Sequence, residues 1–287
     1  MPSKYKVEQP HRNVLIVRFD VTTGWEQWFM LSADRHHDNK LTDWNLEKKH
    51  LKKAEERDAI ILEFGDFFCA MQGKYDKRSD LTQVRPEHQK NKNYLDALID
   101  EAAEFYKPWA GRFLMISKGN HESSVEDRHG TNLCSNLIYR MNANGGNCFY
   151  GFYAGWVRFL FTMNKTGRTS KNLYYHHGAG GGGPVTRGLI QTNRQSVYLP
   201  DADLVVNGHT HDSWIVPIAR SRLLDKGVPY QDICYHVRTP GYKRDYNDGA
   251  EGFHVERWAP PKPVGCVWMR MYYESKNIKI DFTADVE

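Results

Sequence analysis

The chain has 287 residues, 40% hydrophobic and 26% charged, a balance that argues against disorder and supplies apolar surface for a sizeable core. Lysine and arginine number 39 against 35 aspartate and glutamate, and this net charge of +4 is too mild to demand a nucleic-acid partner. The five cysteines are scattered without a Cys-x-x-Cys pair, which argues against a disulfide framework or a structural zinc knuckle. The first ten residues are polar, and no run approaches the ~20 apolar residues of a membrane span. A single domain in the cytoplasm is the expectation, with no membrane partner.

In chain order, Val14 to Phe19 and Trp28 to Ala33 read as strands, the second ending at Asp34. Trp44 to Arg57 reads as a helix. The apolar run from Ala59 to Phe64 ends in Gly65-Asp66, and a charged insertion follows over about residues 67–90. Asn91 to Tyr106 has helical spacing, with Leu95, Leu98, Ile99 and Ala102 on one face. Phe113 to Ser117 is a short buried run ahead of Gly119-Asn120-His121-Glu122, and Thr131 to Met141 reads as a helix broken by Gly145-Gly146. Strands are then expected over Phe149 to Tyr153, Val157 to Met163, Leu173 to His176 and Leu204 to Val206. After about residue 212 a β-rich extension is expected, with strands over Trp214 to Ile218, Ile233 to Val237, Val267 to Tyr273 and Ile278 to Phe282.

Several of these runs stop at residues able to bind metal. In Asp34-Arg35-His36 a carboxylate and an imidazole stand two apart, on the same side of an extended backbone, and could grip one cation. Asp66 has two oxygens that can bridge two cations, although taken alone it reads more readily as a helix N-cap. Asn120 offers an amide oxygen, with His121 and Glu122 beside it. At His176-His177-Gly178 only one of the two histidines is expected to face the site, because neighbours on a strand point to opposite sides. Gly208-His209-Thr210-His211 adds two further imidazoles.

Taken together and in order, these clusters resemble the calcineurin-like metallophosphoesterase family, whose pattern runs D-x-H, G-D, G-N-H-[DE], H, G-H-x-H. The resemblance spans Asp34 to His211. It implies an α/β fold of two packed sheets flanked by helices in four layers. It also implies that Asp34, His36 and His211 hold one divalent metal, that Asn120, His177 and His209 hold the other, and that Asp66 bridges both. His177 is preferred to His176 because it directly precedes glycine, as the family's histidine does. His121 would act as the acid that protonates the leaving oxygen, and Glu122 either holds that imidazole or caps the following helix.

The family commonly has Asp or Asn three residues beyond the bridging aspartate, where this chain has Cys69, which reads as a small buried hydrophobe ahead of a metal role. The Gly-Asp-x-x-Asp-Arg-Gly signature of the serine/threonine protein phosphatases is absent, so the non-protein-phosphatase branch is expected. In that family two cations ~3.5–4 Å apart polarise a water and neutralise phosphoryl oxygens. Manganese is the expected metal, ahead of zinc, iron, nickel or magnesium.

The expected substrate is a phosphate diester, with DNA or RNA as one form of it. A phosphomonoesterase on nucleotides or other small molecules is the alternative, and a noncatalytic metal-stabilised binding protein the third reading. The glycine run around Gly180 and the nearby Arg187 are candidates for phosphate contact, with Arg194 next. Lys77, Arg78, Arg85, Lys90 and Lys92 place basic charge in the insertion, diluted by Asp76, Asp80 and Glu87.

Overall fold

The computed structural model describes residues 5–70, 83–181, 185–246, 249–250, 253–256 and 258–287. Short, mainly apolar runs become largely buried strands: β3 (Glu26–Ser32), β4 (Ile60–Glu63) and β5 (Phe113–Ile116) lie parallel and adjacent. They form the middle of a six-stranded sheet with β6 (Phe149–Tyr150) at one edge and β12 (Gly265–Glu274) and β13 (Asn277–Val286) at the other. A seven-stranded sheet runs in the order β1 (Lys6–His11), β2 (Val14–Val21), β7 (Ala154–Met163), β8 (Gly167–His176), β9 (Leu204–Asn207), β11 (Pro229–Arg238) and β10 (Trp214–Leu223).

The two sheets pack face to face. β2 alternates, burying Leu15, Val17, Phe19 and Val21 against Phe29, Leu31, Ile60, Phe159 and Phe161. Phe29 meets Phe159 edge-on at 5.1 Å between ring centroids. Each such fully buried ring contributes about 1.5–3 kcal/mol through the apolar area it removes from water. On the outer face of the six-stranded sheet lie α1 (Trp44–Glu56), α2 (Tyr94–Tyr106), α3 (Asn120–His129) and α4 (Leu133–Ala143). The outer face of the other sheet carries α5 (Leu189–Tyr198), whose departing chain packs Leu199 and Ala202 on Val205 and Cys234. The result is a mixed α/β sandwich of two sheets flanked by helices.

Differences from the sequence reading have local causes. α2 begins at Tyr94 rather than Asn91 because the Asn91 side chain accepts the Asn93 N–H at 2.9 Å and turns the chain first. β6 stops at Tyr150 because Phe152 has φ +42°, which ends the extended run expected to reach Tyr153. β1 was not expected at all: its side chains are mostly exposed, and what organises it is main-chain pairing with β2. α5 occupies sequence to which no element was assigned.

The strands after residue 212 do not stand apart, since β12 lies next to β3 and β11 next to β9. The stretch expected as an insertion begins with Phe67 and Phe68, both fully buried, while Lys77, Arg78, Asp76 and Asp80 lie outside the described residues. All five cysteines are free and buried. No helix among the described residues is long and apolar enough to cross a membrane.

Candidate metal centre

The carboxyl ends of β3, β4, β5, β8 and β9 meet at one edge of the sandwich, where open α/β sheets commonly place their ligands. The loops that leave them are strained. Asp34, His36, Asp66, His209 and His211 all have positive φ, between +46° and +74°, at a cost of about 1–3 kcal/mol for each such non-glycine residue. The extended backbone expected across Asp34-Arg35-His36 is therefore replaced by left-handed turns. These turns are tied to the next ligand loop: Asp34 N–H donates to Gly65 O at 2.8 Å and His36 N–H to Asp66 O at 3.1 Å.

Two sets of side chains converge. In the first, Asp34 Oδ1 lies 3.4 Å from His211 Nε2 and 3.9 Å from His36 Nε2, and the two imidazole nitrogens are 3.2 Å apart. Ligands on a tetrahedral cation with ~2.0–2.1 Å bonds sit about 3.3 Å from one another, so this triangle has the size of a cation site. The other carboxylate oxygen of Asp34 accepts the His209 N–H at 2.7 Å, which turns Oδ1 into the site. Burial, then His121 and His211, holds His36 well below the ordinary histidine range, in the neutral form that a ligand requires.

In the second set, Asp66, His177 and His209 offer ligand atoms within 4.8 Å of one another. His177 Nδ1 donates to Phe64 O at 2.9 Å, because a carbonyl only accepts, and this directs Nε2 to Asp66 Oδ2 and Asn120 Oδ1, both at 3.2 Å. Acceptors facing one another in this way call for a proton or a cation between them. Without a cation, burial lowers the His177 pKa but Asp66 outweighs it and pushes it up to about 10. Asp66 itself is opposed by burial, yet His177 and then His121 hold it well below the carboxylate range.

His177 rather than His176 enters the centre, the latter accepting the Gly178 N–H through Nδ1 at 2.9 Å. His209 and His211 go to different sets. The donor chemistry and spacing of both sets fit divalent cations.

Glu122 caps α3 and does not hold the His121 imidazole. Its carboxylate accepts N–H groups from Gly119 (2.8 Å), Phe68 (2.8 Å) and Asp66 (3.2 Å), clamping the Asp66 loop to the helix start. Gly119 makes that approach possible: a Cβ there would lie 2.1 Å from Asp66 Oδ1. Gly119→Ala is expected to displace Asp66 and lower divalent-metal affinity at least about tenfold, the scale for losing a group that orients a ligand. Calorimetric metal titration checks this, and circular dichroism should show the fold retained.

Three groups near the centre were not picked out from the sequence. Asp245 Oδ2 is 3.9 Å from His211 Nδ1, and Lys243 Nζ pairs with Asp245 Oδ1 at 2.7 Å. Arg238, 1% exposed, donates to Gly208 O at 2.6 Å behind the His209 loop. All three follow or end β11, another apolar run beside β9, so the same strand-end signal was present.

The candidates for phosphate contact are more remote in character. Arg187 is exposed, and its carbonyl accepts from the Trp214 indole at 3.1 Å. Gly180 is exposed beside Ala179, whose carbonyl accepts from Gln191 at 3.0 Å. Arg85 in the insertion is engaged by Glu101 at 2.6 Å and lies over the Trp44 ring.

Fold and site together define a two-sheet α/β protein with two adjoining groups of metal-ligand side chains at its strand ends. No family model matches the sequence. No curated protein matches it. Solved structures do match. One is a predicted phosphoesterase from Streptococcus pneumoniae, 13% identical, covering 90% of this chain and 89% of that one with a TM-score of 0.33. Another is vacuolar protein sorting 29 from Cryptosporidium parvum, 11% identical over 92% of this chain and 100% of that one, TM-score 0.38. A third is Vps29 of Entamoeba histolytica complexed with zinc, 9% identical over 90% and 98%, TM-score 0.35. Likeness at these values transfers no residue roles and no activity.

Proposed function

We propose that the protein is a phosphoesterase that works with two divalent cations and hydrolyses a phosphate diester, nucleic acid being one form of that substrate. The observation that carries this reading is the contrast between His121 and its neighbours. Seven side chains, Asp34, His36, Asp66, Asn120, His177, His209 and His211, present oxygens and nitrogens to one another in two adjoining sets, and Asp66 is the proposed bridge between them. His121 stands beside them with the role of one ring nitrogen fixed. Its Nδ1 donates to Cys69 O at 2.7 Å, so Nε2 is the nitrogen turned toward Asp66 Oδ2, at 3.8 Å.

Two bound cations would supply Lewis-acid polarisation of the phosphoryl group and a water nucleophile. The chain's own residues then do the rest. Asp66 is oriented by the His121 N–H on Oδ1 at 2.9 Å, at the start of α3, where peptide dipoles favour negative charge. His121 Nε2–H passes its proton to the leaving oxygen as the ester bond breaks, and its side chain is open enough, at 16% exposure, to reach a substrate. Arg187 and the Gly180 loop are the proposed contacts for the rest of the phosphate ester.

His121→Ala is expected to keep both metals and lose about 10²–10⁴-fold in turnover, the usual contribution of general acid catalysis. Elemental analysis beside steady-state kinetics checks this, and loss of metal would make His121 a ligand instead. Rates on chromogenic diester and monoester substrates with Mn²⁺, followed by single- and double-stranded DNA, test the substrate class. Preference for the monoester with intact DNA would replace the diesterase reading by that of a phosphomonoesterase. Bound metal without hydrolysis of either would leave a noncatalytic metal-stabilised protein.

A further inference from the structure

A third group of ligand atoms adjoins the two already described: His36, Cys69 and His121 bring one atom each within 4.8 Å of one another. We infer that these three residues form a separate Cys-His-His site for a thiophilic divalent cation, and that filling it withdraws His121 from proton transfer. The inference rests on the reading of His121 given above, but its first test does not.

Cys69 is placed by several contacts. Asp38, 1% exposed, accepts the N–H groups of Cys69 at 2.6 Å and Ala70 at 2.8 Å, and Tyr94 donates to the same carboxylate at 3.0 Å. Asn39 Nδ2 donates to Cys69 Sγ at 3.3 Å, so the sulfur is already used as an acceptor. Ala70 follows at φ +48°, a conformation an alanine adopts only when its surroundings impose it.

The two histidines have nitrogens to give. His121 Nδ1 carries the proton donated to Cys69 O, which leaves Nε2 as its ligand atom. His36 is 3% exposed, and its Nδ1 is buried without a hydrogen-bond partner among the described residues, while its Nε2 faces His211. An orphaned ring nitrogen on a histidine of this group is accounted for by a cation. Binding would form one metal–sulfur bond and release the Cys69 thiol proton to solvent, with both imidazoles neutral; His36, having a single ring lone pair, would then serve this site or the one with Asp34 and His211 but not both. One sulfur and two imidazoles favour Zn²⁺, Co²⁺ or Cd²⁺ and disfavour Mg²⁺ and Ca²⁺, whereas the carboxylate-bearing sets also suit Mn²⁺.

The functional consequence follows from shared residues. His36 belongs to both this set and the one with Asp34 and His211, and His121 Nε2 cannot hold a cation and donate a proton together. Thiophilic metal in excess would therefore act as an inhibitor of an enzyme running on a harder metal.

The test starts with metal-free protein titrated with Cd²⁺ and followed for sulfur-to-metal charge-transfer absorbance. The band is expected in the native chain and lost in Cys69→Ser and in His121→Ala. X-ray absorption on the unmutated zinc-loaded protein should add one sulfur scatterer at ~2.3 Å, a readout independent of how the variants fold. Zn²⁺ added to Mn²⁺-supported turnover is expected to slow the native protein by about 100-fold or more, the lower scale for losing a general acid. Cys69→Ser should resist the zinc: with each protein read against its own rate on Mn²⁺ alone, the variant should slow far less on zinc addition than the native protein.

A band that survives Cys69→Ser, or native protein that binds metal with no sulfur in its shell, would overturn the third site and leave the two-metal reading standing. Absence of hydrolysis with any metal, with the charge-transfer band intact, would overturn the phosphoesterase reading and leave the site.

Discussion

Asp66→Asn is expected to abolish turnover and to weaken divalent-metal binding by more than about 100-fold, beyond the range seen when only a group orienting a ligand is lost. The substitution keeps the volume and removes the charge. Asp66 Oδ2 faces His177 Nε2 at 3.2 Å, and Oδ1 accepts the His121 N–H at 2.9 Å, so both oxygens are engaged at the junction of β4 and α3. An amide in that place can accept from only one side and brings N–H donors toward nitrogens that should face a cation. Parallel elemental analysis of Asp66→Asn and His121→Ala separates the roles: equal metal loss in the two variants would end the distinction between ligand and acid.

The largest expected effect on stability comes from a residue that touches no substrate. Arg35 lies between Asp34 and His36, and its side chain is fully buried on the far side of the loop. It donates to Glu63 Oε2 at 2.6 Å and Ser32 Oγ at 2.7 Å and pairs with Glu47, which also accepts from Tyr106. The rings of Phe113, Tyr106, Tyr242 and Phe67 surround the guanidinium at 5.3–5.7 Å. Arg35→Met would leave two carboxylates buried without a cation and is expected to cost about 3–5 kcal/mol, measured by chemical denaturation. Arg35→Met combined with Glu47→Gln and Glu63→Gln should recover much of this loss, since no uncompensated charge then remains buried.

The pH dependence of that variant has a definite sign. Burial pushes Glu63 up to about 7 even with Arg35 beside it, while an unfolded glutamate titrates near its ordinary value of 4.5. Between those values the folded state binds more protons than the unfolded state, so stability falls as pH rises through that window. Without Arg35 the folded value moves higher still, and the deficit should be smaller near pH 5 and larger above pH 7. A deficit independent of pH would mean that lost packing dominates over the buried charge.

Much of the site was legible because each ligand group is a short contiguous string placed after a buried run. A strand apolar up to its last residue, such as Ile60–Glu63 or Leu204–Asn207, announces a parallel strand, and polar residues beyond its carboxyl end then face a crevice. Glu122 was not legible in the same way. Its partners are the N–H groups of Gly119, Asp66 and Phe68, two of them from a loop that only the adjacency of β4 and β5 brings near. Arg35 reads as the variable residue of a D-x-H string, and nothing local says that its side chain turns inward to Glu47 and Glu63. β1 and the outer halves of β10 and β11 escaped detection because main-chain pairing to a neighbour organises them, with little apolar pattern of their own.

Asp66 and His121 mark the division most clearly. The sequence by itself determined the chemical types, their order and their position at strand ends, because backbone turns and buried runs are written in neighbouring residues. Only the tertiary structure decided that His121 spends Nδ1 on Cys69 O and that Cys69 meets His36. Those outcomes depend on which strands lie side by side and on left-handed turns held by partners far along the chain, and such long-range contacts have no signature in local spacing.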